Sequence, residues 1–144
     1  MAVCLGNCTR NSYPSYSAEV TALERGAAPG TIAVRSAGYG NNQTEAVRNA
    51  GFNAFSILLF KGLPGTALNL PLVDNEREAR VKNESYFKKL FDEGLYKNFV
   101  VSSTESSLLL KEQGTKKLTV DMVINYTSLR RDLEQNNVIR KLGY

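Results

Sequence analysis

The stretch 31–65 constrains the fold of this chain more than any other, because it predicts a strand followed by a closely packed helix. Residues 31–37 alternate in a β-rich run, which predicts the strand. Gly38 and Gly40 then flank Tyr39, and glycines at this spacing predict a turn at which residues with a Cβ would clash. The pattern therefore predicts a strand that ends in a glycine corner.

A helix is predicted directly after this corner, over residues 43–60. Asn42 can cap it, and Glu45 follows three residues later, as a capping box requires. Small side chains recur every four positions and form a ridge along one side of the helix, made of Ala46, Ala50 and Ala54. Such a ridge lets a helix lie close to a sheet, so this motif describes packing and carries no chemistry of its own.

Further elements are predicted on both sides of this unit. A short strand is predicted at 18–24, a second helix at 75–96 that stops near Gly94, and a strand that begins at 99–103. The buried side of the second helix is predicted to carry four apolar residues, Val81, Phe87, Leu90 and Phe91.

The clearest strand is predicted at 117–126, and a turn at 113–115 pairs it with 107–111. Thr127 or Ser128 is predicted to cap a short C-terminal helix. We therefore predict an α+β fold, with an antiparallel sheet, two main helices packed on one face and a short C-terminal helix. A single domain is expected over 18–144, preceded by an N-terminal tether or signal remnant over 1–17.

The composition argues against several classes of function. The chain contains no histidine, which is the usual general base of hydrolases and the commonest metal ligand. Neither glycine-rich segment matches a phosphate-binding motif, and no pair of carboxylates is singled out. No catalytic residue, metal site or cofactor is therefore predicted. The net charge of +4 supports only an alternative function, a basic nucleic-acid- or ribosome-associated binding protein.

The cysteines lie close together near the start of the sequence, at Cys4 and Cys8. Two sulfur ligands are too few for a structural zinc site. Leu5 stands three places before Cys8, as in the signal of a bacterial lipoprotein, although Asn7 occupies the position of a small residue and no long apolar region precedes it. Cys8 and Cys4 are thus candidates for lipidation, and a reduced or disulfide-linked terminus is the alternative.

Aromatic residues suggest where a protein partner would bind. Tyrosines at exposed positions suit protein-binding surfaces. Four of them fall in predicted turns or termini and form a candidate binding surface, namely Tyr13, Tyr16, Tyr39 and Tyr144.

The 31–60 pattern resembles a group of small bacterial envelope proteins, in which a G-x-G-like corner precedes a helix with alanines every four residues. The correspondence falls on five positions, Gly38, Gly40, Ala46, Ala50 and Ala54. That group includes the N-terminal domain of the flagellar assembly protein T family and related outer-membrane lipoproteins. With its LLFKGLPGT segment and RRDLEQNNVIRKLGY end, the whole chain is similar to small secreted lipoproteins of Bacteroidetes with no assigned activity.

The resemblance implies a non-enzymatic module of the cell envelope, in the outer membrane or periplasm. Its expected partners are other envelope proteins or further copies of the chain, with a lipid anchor at the N-terminus. The family brings no catalytic residues with it, and binding of nucleic acid is not expected.

Lipidation makes a prediction about mass. If the mature protein begins at Cys8, the chain isolated from its native host should lack residues 1–7 and carry added acyl groups, because stable anchoring needs more than one acyl chain. Intact-mass analysis measures this directly. A mass equal to that of unmodified residues 1–144 would contradict it.

Overall fold

The computed structural model describes residues 19–23 and 28–141. Within these ranges an antiparallel sheet is combined with helices, which confirms the α+β class. The predicted N-terminal tether lies outside the described residues, and so do five of the predicted site residues, Cys4, Cys8, Tyr13, Tyr16 and Tyr144.

Five strands in the described part of the chain form the sheet: β1 (Val20–Ala22), β2 (Thr31–Gly40), β3 (Val100–Glu105), β4 (Leu110–Glu112) and β5 (Thr115–Asn125). Their order is β1-β2-β5-β3, and all neighbouring strands are antiparallel. β2 pairs along one edge of β5 over the range 116–125. β3 and β4 therefore share the other edge of β5, one after the other.

The helices of the described residues are α1 (Gln43–Phe60), α2 (Glu76–Lys82), α3 (Glu84–Phe87) and α4 (Tyr126–Gln135), with a π-helical turn (Lys88–Asp92) and a 3₁₀ helix (Leu95–Phe99). The bounds of α1 are those predicted. Its N-cap is also confirmed, because Asn42 Oδ1 accepts a hydrogen bond from Glu45 N at 3.0 Å. The Glu45 carboxylate accepts from Asn41 N at 2.8 Å, so both side chains satisfy donors at the helix start.

The second predicted helix is divided into shorter helical segments. Asn83 interrupts it with a non-helical conformation, and its side-chain amide donates to the carbonyl of Ala79. Asparagine competes for backbone groups in this way, which disfavours it inside a helix. The break changes the direction of the side chains, and Val81, predicted to be buried, is 77% exposed. Gly94 has φ +82°, as expected of a helix stop.

Contact between α1 and β2 is unusually close. Ala46, Ala50 and Ala54 are all fully buried. A Cβ on Gly38 would lie 1.8 Å from Ala46 O, and one on Gly40 would lie 2.6 Å from Glu45 Cβ. The predicted glycine corner is therefore wrong: both glycines lie inside β2, and they lack a side chain because the backbone of α1 occupies that space.

Polar groups hold α1 to β2 near the point where β1 stops pairing with β2. Ser36 Oγ donates to Ala50 O at 2.7 Å in the buried interface. Beyond β1, Asn53 Nδ2 donates to Ala37 O and Asn49 Oδ1 accepts from Tyr39 N, both at 2.9 Å. These two amide side chains take the place of a neighbouring strand for backbone groups that would otherwise lack a partner.

Aromatic rings join the divided helical region to α1. Phe52 makes an edge-to-face contact with Phe91, with ring centroids 5.4 Å apart, and Phe60 lies 5.7 Å from Phe87. The Arg80 guanidinium covers this cluster at 4.7 Å from the centroid of Phe60. Such pairs stabilise by about 1 kcal/mol beyond the area that they bury.

α4 completes the core with Leu129 and Leu133, which are both fully buried. Its N-cap is Asn125, whose side chain accepts from Ser128 N at 3.0 Å. The prediction of Thr127 or Ser128 as the cap is wrong, because the chain turns into the helix directly at the end of β5.

The approach of α1 to β2 gives a test of stability. Gly38→Ala should lower the free energy of unfolding by about 3 kcal/mol, because its Cβ meets backbone atoms that cannot turn aside. Gly65→Ala is the matched control: its Cβ would meet nothing within 4 Å. Because Gly65 has a positive φ, its replacement by alanine should lower the free energy of unfolding by about 1 kcal/mol through backbone strain alone. Denaturant melts measure both, and equal losses would contradict the close packing.

Candidate functional site

A groove lies between α1 and β3. It consists of two adjoining cavities, of about 480 and about 340 Å³, that share Val47, Tyr96 and Lys97 in their walls. We call it the α1–β3 groove. Its other lining residues are Gln43, Thr44, Arg48 and Gly51 from α1, with Val100, Val101, Ser102, Ser103, Glu105, Val120 and Met122 from the sheet.

The floor of the α1–β3 groove is apolar and well packed. Val120 and Met122 are 1% and 4% exposed and belong to the main core. Gly51 allows the ring of Tyr96 to lie against α1, since a Cβ there would be 2.6 Å from Tyr96 Cε1. The Tyr96 ring is also packed edge-to-face on Phe52, at 5.8 Å between centroids. The floor is therefore made of closely packed side chains.

Charged and polar side chains surround this floor. The amide of Gln43 donates to the carboxylate of Glu105 across the groove. On the same side, Arg48 donates to Asp92 O at 3.2 Å, and its guanidinium lies 5.1 Å from the ring centroid of Phe52. Arg48 and Lys97 give the rim two cations to one carboxylate, so it is mildly positive.

β3 forms an open edge above the groove, with β5 as its only neighbour among the described strands. Ser106 N donates to Thr119 O at 2.8 Å. Because bonded and non-bonded positions alternate in an antiparallel pair, the backbone groups of Thr104 face β5. Those of Ser103 and Glu105 therefore face away from the sheet, at the edge.

Charge protects this open edge only at its end, where Glu105 closes β3. Proteins commonly protect edge strands with charges, and the adjoining β4 follows this rule with Lys111 and Glu112. In β3, residues 100–104 carry no charge, and Val101 is 61% exposed. A bulge shifts the register between Val100 and Ser102, so that Val101 lies outside the regular pairing.

Tyr39 is the one tyrosine of the predicted binding surface that the structure describes, and its predicted exposure is wrong. It lies within β2 and is 4% exposed, because the strand continues through both glycines. Burial raises the pKa of its phenol, with Glu19 as the next cause. Lys117 Nζ lies 5.7 Å from its ring centroid. Tyr39 therefore does not lie in the α1–β3 groove.

The predicted alanine ridge and the groove lie on different sides of α1. Ala46 and Ala50 contact β2, whereas Val47, Arg48 and Gly51 line the groove. The ridge positions the groove by setting how closely α1 lies to the sheet. The groove residues were not predicted from the sequence, although Gly51 gave a signal: a glycine inside a helix often marks the close approach of another group.

Two features are absent from residues 19–23 and 28–141. No helix there is long and apolar enough to cross a membrane. No group of three or more Cys, Asp or Glu side chains in the same ranges is arranged to hold a metal ion.

Comparison with models of protein families, with curated proteins and with solved structures finds no match to this chain. The interpretation of the groove therefore depends on its geometry.

Burial of Tyr96 in the groove wall predicts a dependence on alkaline pH. Burial raises its pKa, and Arg48 opposes this only in part. The folded state then holds the proton more tightly than the unfolded state, so stability should fall as the pH rises above about 10. Tyr96→Phe should make the melting temperature less sensitive to pH in that range. The half-buried Tyr126→Phe serves as control, and identical pH profiles for wild type and Tyr96→Phe would contradict the prediction.

Proposed function

We propose that this protein is a non-enzymatic module of the cell envelope that binds an extended segment of another protein beside β3. One observation carries the proposal: an open strand edge, uncharged over 100–104, forms one wall of a groove with an apolar floor. Added strands are a common mode of peptide recognition, in which main-chain hydrogen bonds give affinity and pockets for alternate side chains give specificity.

The backbone of β3 supplies the main-chain part of this interaction. The N–H and C=O groups of Ser103 and Glu105 face the edge and can pair with a strand laid alongside. Every second side chain of the bound segment then points toward α1, at intervals of about 7 Å. One such side chain fits over Val47 and Met122, where the floor is apolar.

The groove residues support binding rather than catalysis. Its hydroxyl groups, on Thr44, Ser102 and Ser103, have no histidine to activate them, because the chain contains none. Its one carboxylate, on Glu105, accepts a hydrogen bond from Gln43. An apolar floor inside a polar rim is a common form of recognition site.

We infer the cell-envelope location from the resemblance of the 31–60 segment to envelope lipoproteins, together with Cys8 and Cys4. In this proposal a lipid anchor at the N-terminus holds the domain near a membrane, and the partner is another envelope protein or a second copy of the chain. In that position the open edge of β3 is the surface that the partner segment would meet.

Ser103 gives a direct test. Ser103→Pro removes an N–H that faces away from β5, and proline is tolerated on edge strands, so the fold should be retained. Peptides selected by the wild-type protein from a displayed random library should bind this variant at least about tenfold more weakly, because main-chain pairing is blocked. Fluorescence anisotropy measures the affinity, and circular dichroism checks the fold.

Ser103→Ala is the matched control for this experiment. It keeps the backbone N–H and removes only the hydroxyl, so its affinity for the selected peptides should stay close to that of the wild type. Equal binding by Ser103→Pro and Ser103→Ala would rule out strand addition at β3. Steep loss of affinity for single-stranded oligonucleotides with added salt, in a protein that selects no peptide, would instead support the nucleic-acid alternative.

A further inference from the structure

The hairpin of β4 and β5 places two like charges opposite each other. Lys111 is the cross-strand partner of Lys116. The flanking pairs, in which Leu110 faces Lys117 and Glu112 faces Thr115, are hydrogen-bonded positions, so the two lysines occupy the non-bonded position where side chains come closest. Like charges at directly opposed positions destabilise a strand pair.

Neither Lys111 nor Lys116 has an ion pair within the described ranges. The carboxylates of Glu19 and Glu112, on this part of the sheet, both engage Lys117, at 3.1 and 3.7 Å. Protection of the sheet edge explains a lysine on β4, but it does not explain Lys116, because β5 lies between β2 and β4.

The same hairpin exposes large apolar side chains. Leu108 and Leu110 are 77% and 61% exposed. The turn between the strands is tight, with positive φ at Gln113 and Gly114. Lys111 and Lys116 share one face of the hairpin and Leu110 points to the other, so only a surface that meets the hairpin along the open edge of β4 can contact all three.

We propose that the β4–β5 hairpin is a contact site for an anionic lipid surface. Phosphate headgroups would neutralise Lys111 and Lys116, and the acyl boundary would receive Leu108 and Leu110. Association with a membrane surface combines these two contributions, apolar area and attraction of basic side chains to anionic lipid. The leucines favour a membrane over a nucleic acid, whose backbone offers no apolar phase. This site lies apart from Ser103 and does not depend on the function proposed for β3.

Vesicle co-sedimentation of the full chain, without lipidation, tests the site. Vesicles in which about a third of the lipid is phosphatidylglycerol should bind the protein more tightly than pure phosphatidylcholine vesicles. Each lysine should contribute about fivefold to the partition coefficient, so Lys111→Gln with Lys116→Gln should lower it about 25-fold. Leu108→Ser with Leu110→Ser should lower it as well. The control pair, Lys82→Gln with Lys89→Gln, changes exposed lysines on the helices and should leave binding nearly unchanged.

Charge reversal gives a second readout of opposite sign. Lys116→Glu should weaken vesicle binding and raise the melting temperature, because it turns the opposed lysines into an ion pair. A purely structural lysine would lower the melting temperature when reversed.

Three results would overturn the proposal. The first is equal binding to anionic and neutral vesicles, and the second is an equal loss in the control pair. The third is unchanged binding by the leucine variant together with competition from an oligonucleotide, which would assign the hairpin to polyanions in general.

Discussion

The close contact between α1 and β2 is the constraint on which the rest of this structure depends. A helix can approach a strand so closely only where both surfaces lack bulk, and here Gly38 and Gly40 face Ala46 and Ala50. Once the backbones are in contact, buried polar groups must be satisfied locally. The side chains of Asn49 and Asn53 form hydrogen bonds with the backbone of β2 beyond the end of its pairing with β1.

The candidate site follows from that contact. With its ridge held against β2, α1 turns Val47 and Gly51 toward β3 and leaves a groove whose floor belongs to the core. Tyr96 lines the groove and is held in place by its contact with Phe52, so the groove is formed without a ligand. Preformed sites of this kind lose less conformational entropy on binding than flexible ones.

Two features depart from the usual local rules for sheets, one that protects edges from pairing and one that keeps like charges apart. The edge of β3 carries no charge over 100–104, and Lys111 faces Lys116 across the hairpin. Natural sequences depart from local rules chiefly at functional sites, where stability is given up for binding. The proposed functions of the β3 edge and of the hairpin both rest on such departures, and each is local enough to be altered without disturbing α1.

The sequence by itself determined the elements whose signals are local. These are α1 with its Asn42 cap, and the alternation of β5, where Leu118, Val120, Met122 and Ile124 face the core. Tertiary structure decided the rest. A pair of glycines is equally compatible with a turn and with a close backbone contact. Only the position of Ala46 shows that Gly38 allows α1 to lie against β2. The α1–β3 groove joins three stretches, 43–51, 96–105 and 120–122, and no local pattern records that they meet. Packing brings them together, because each stretch buries an apolar face that it cannot bury alone.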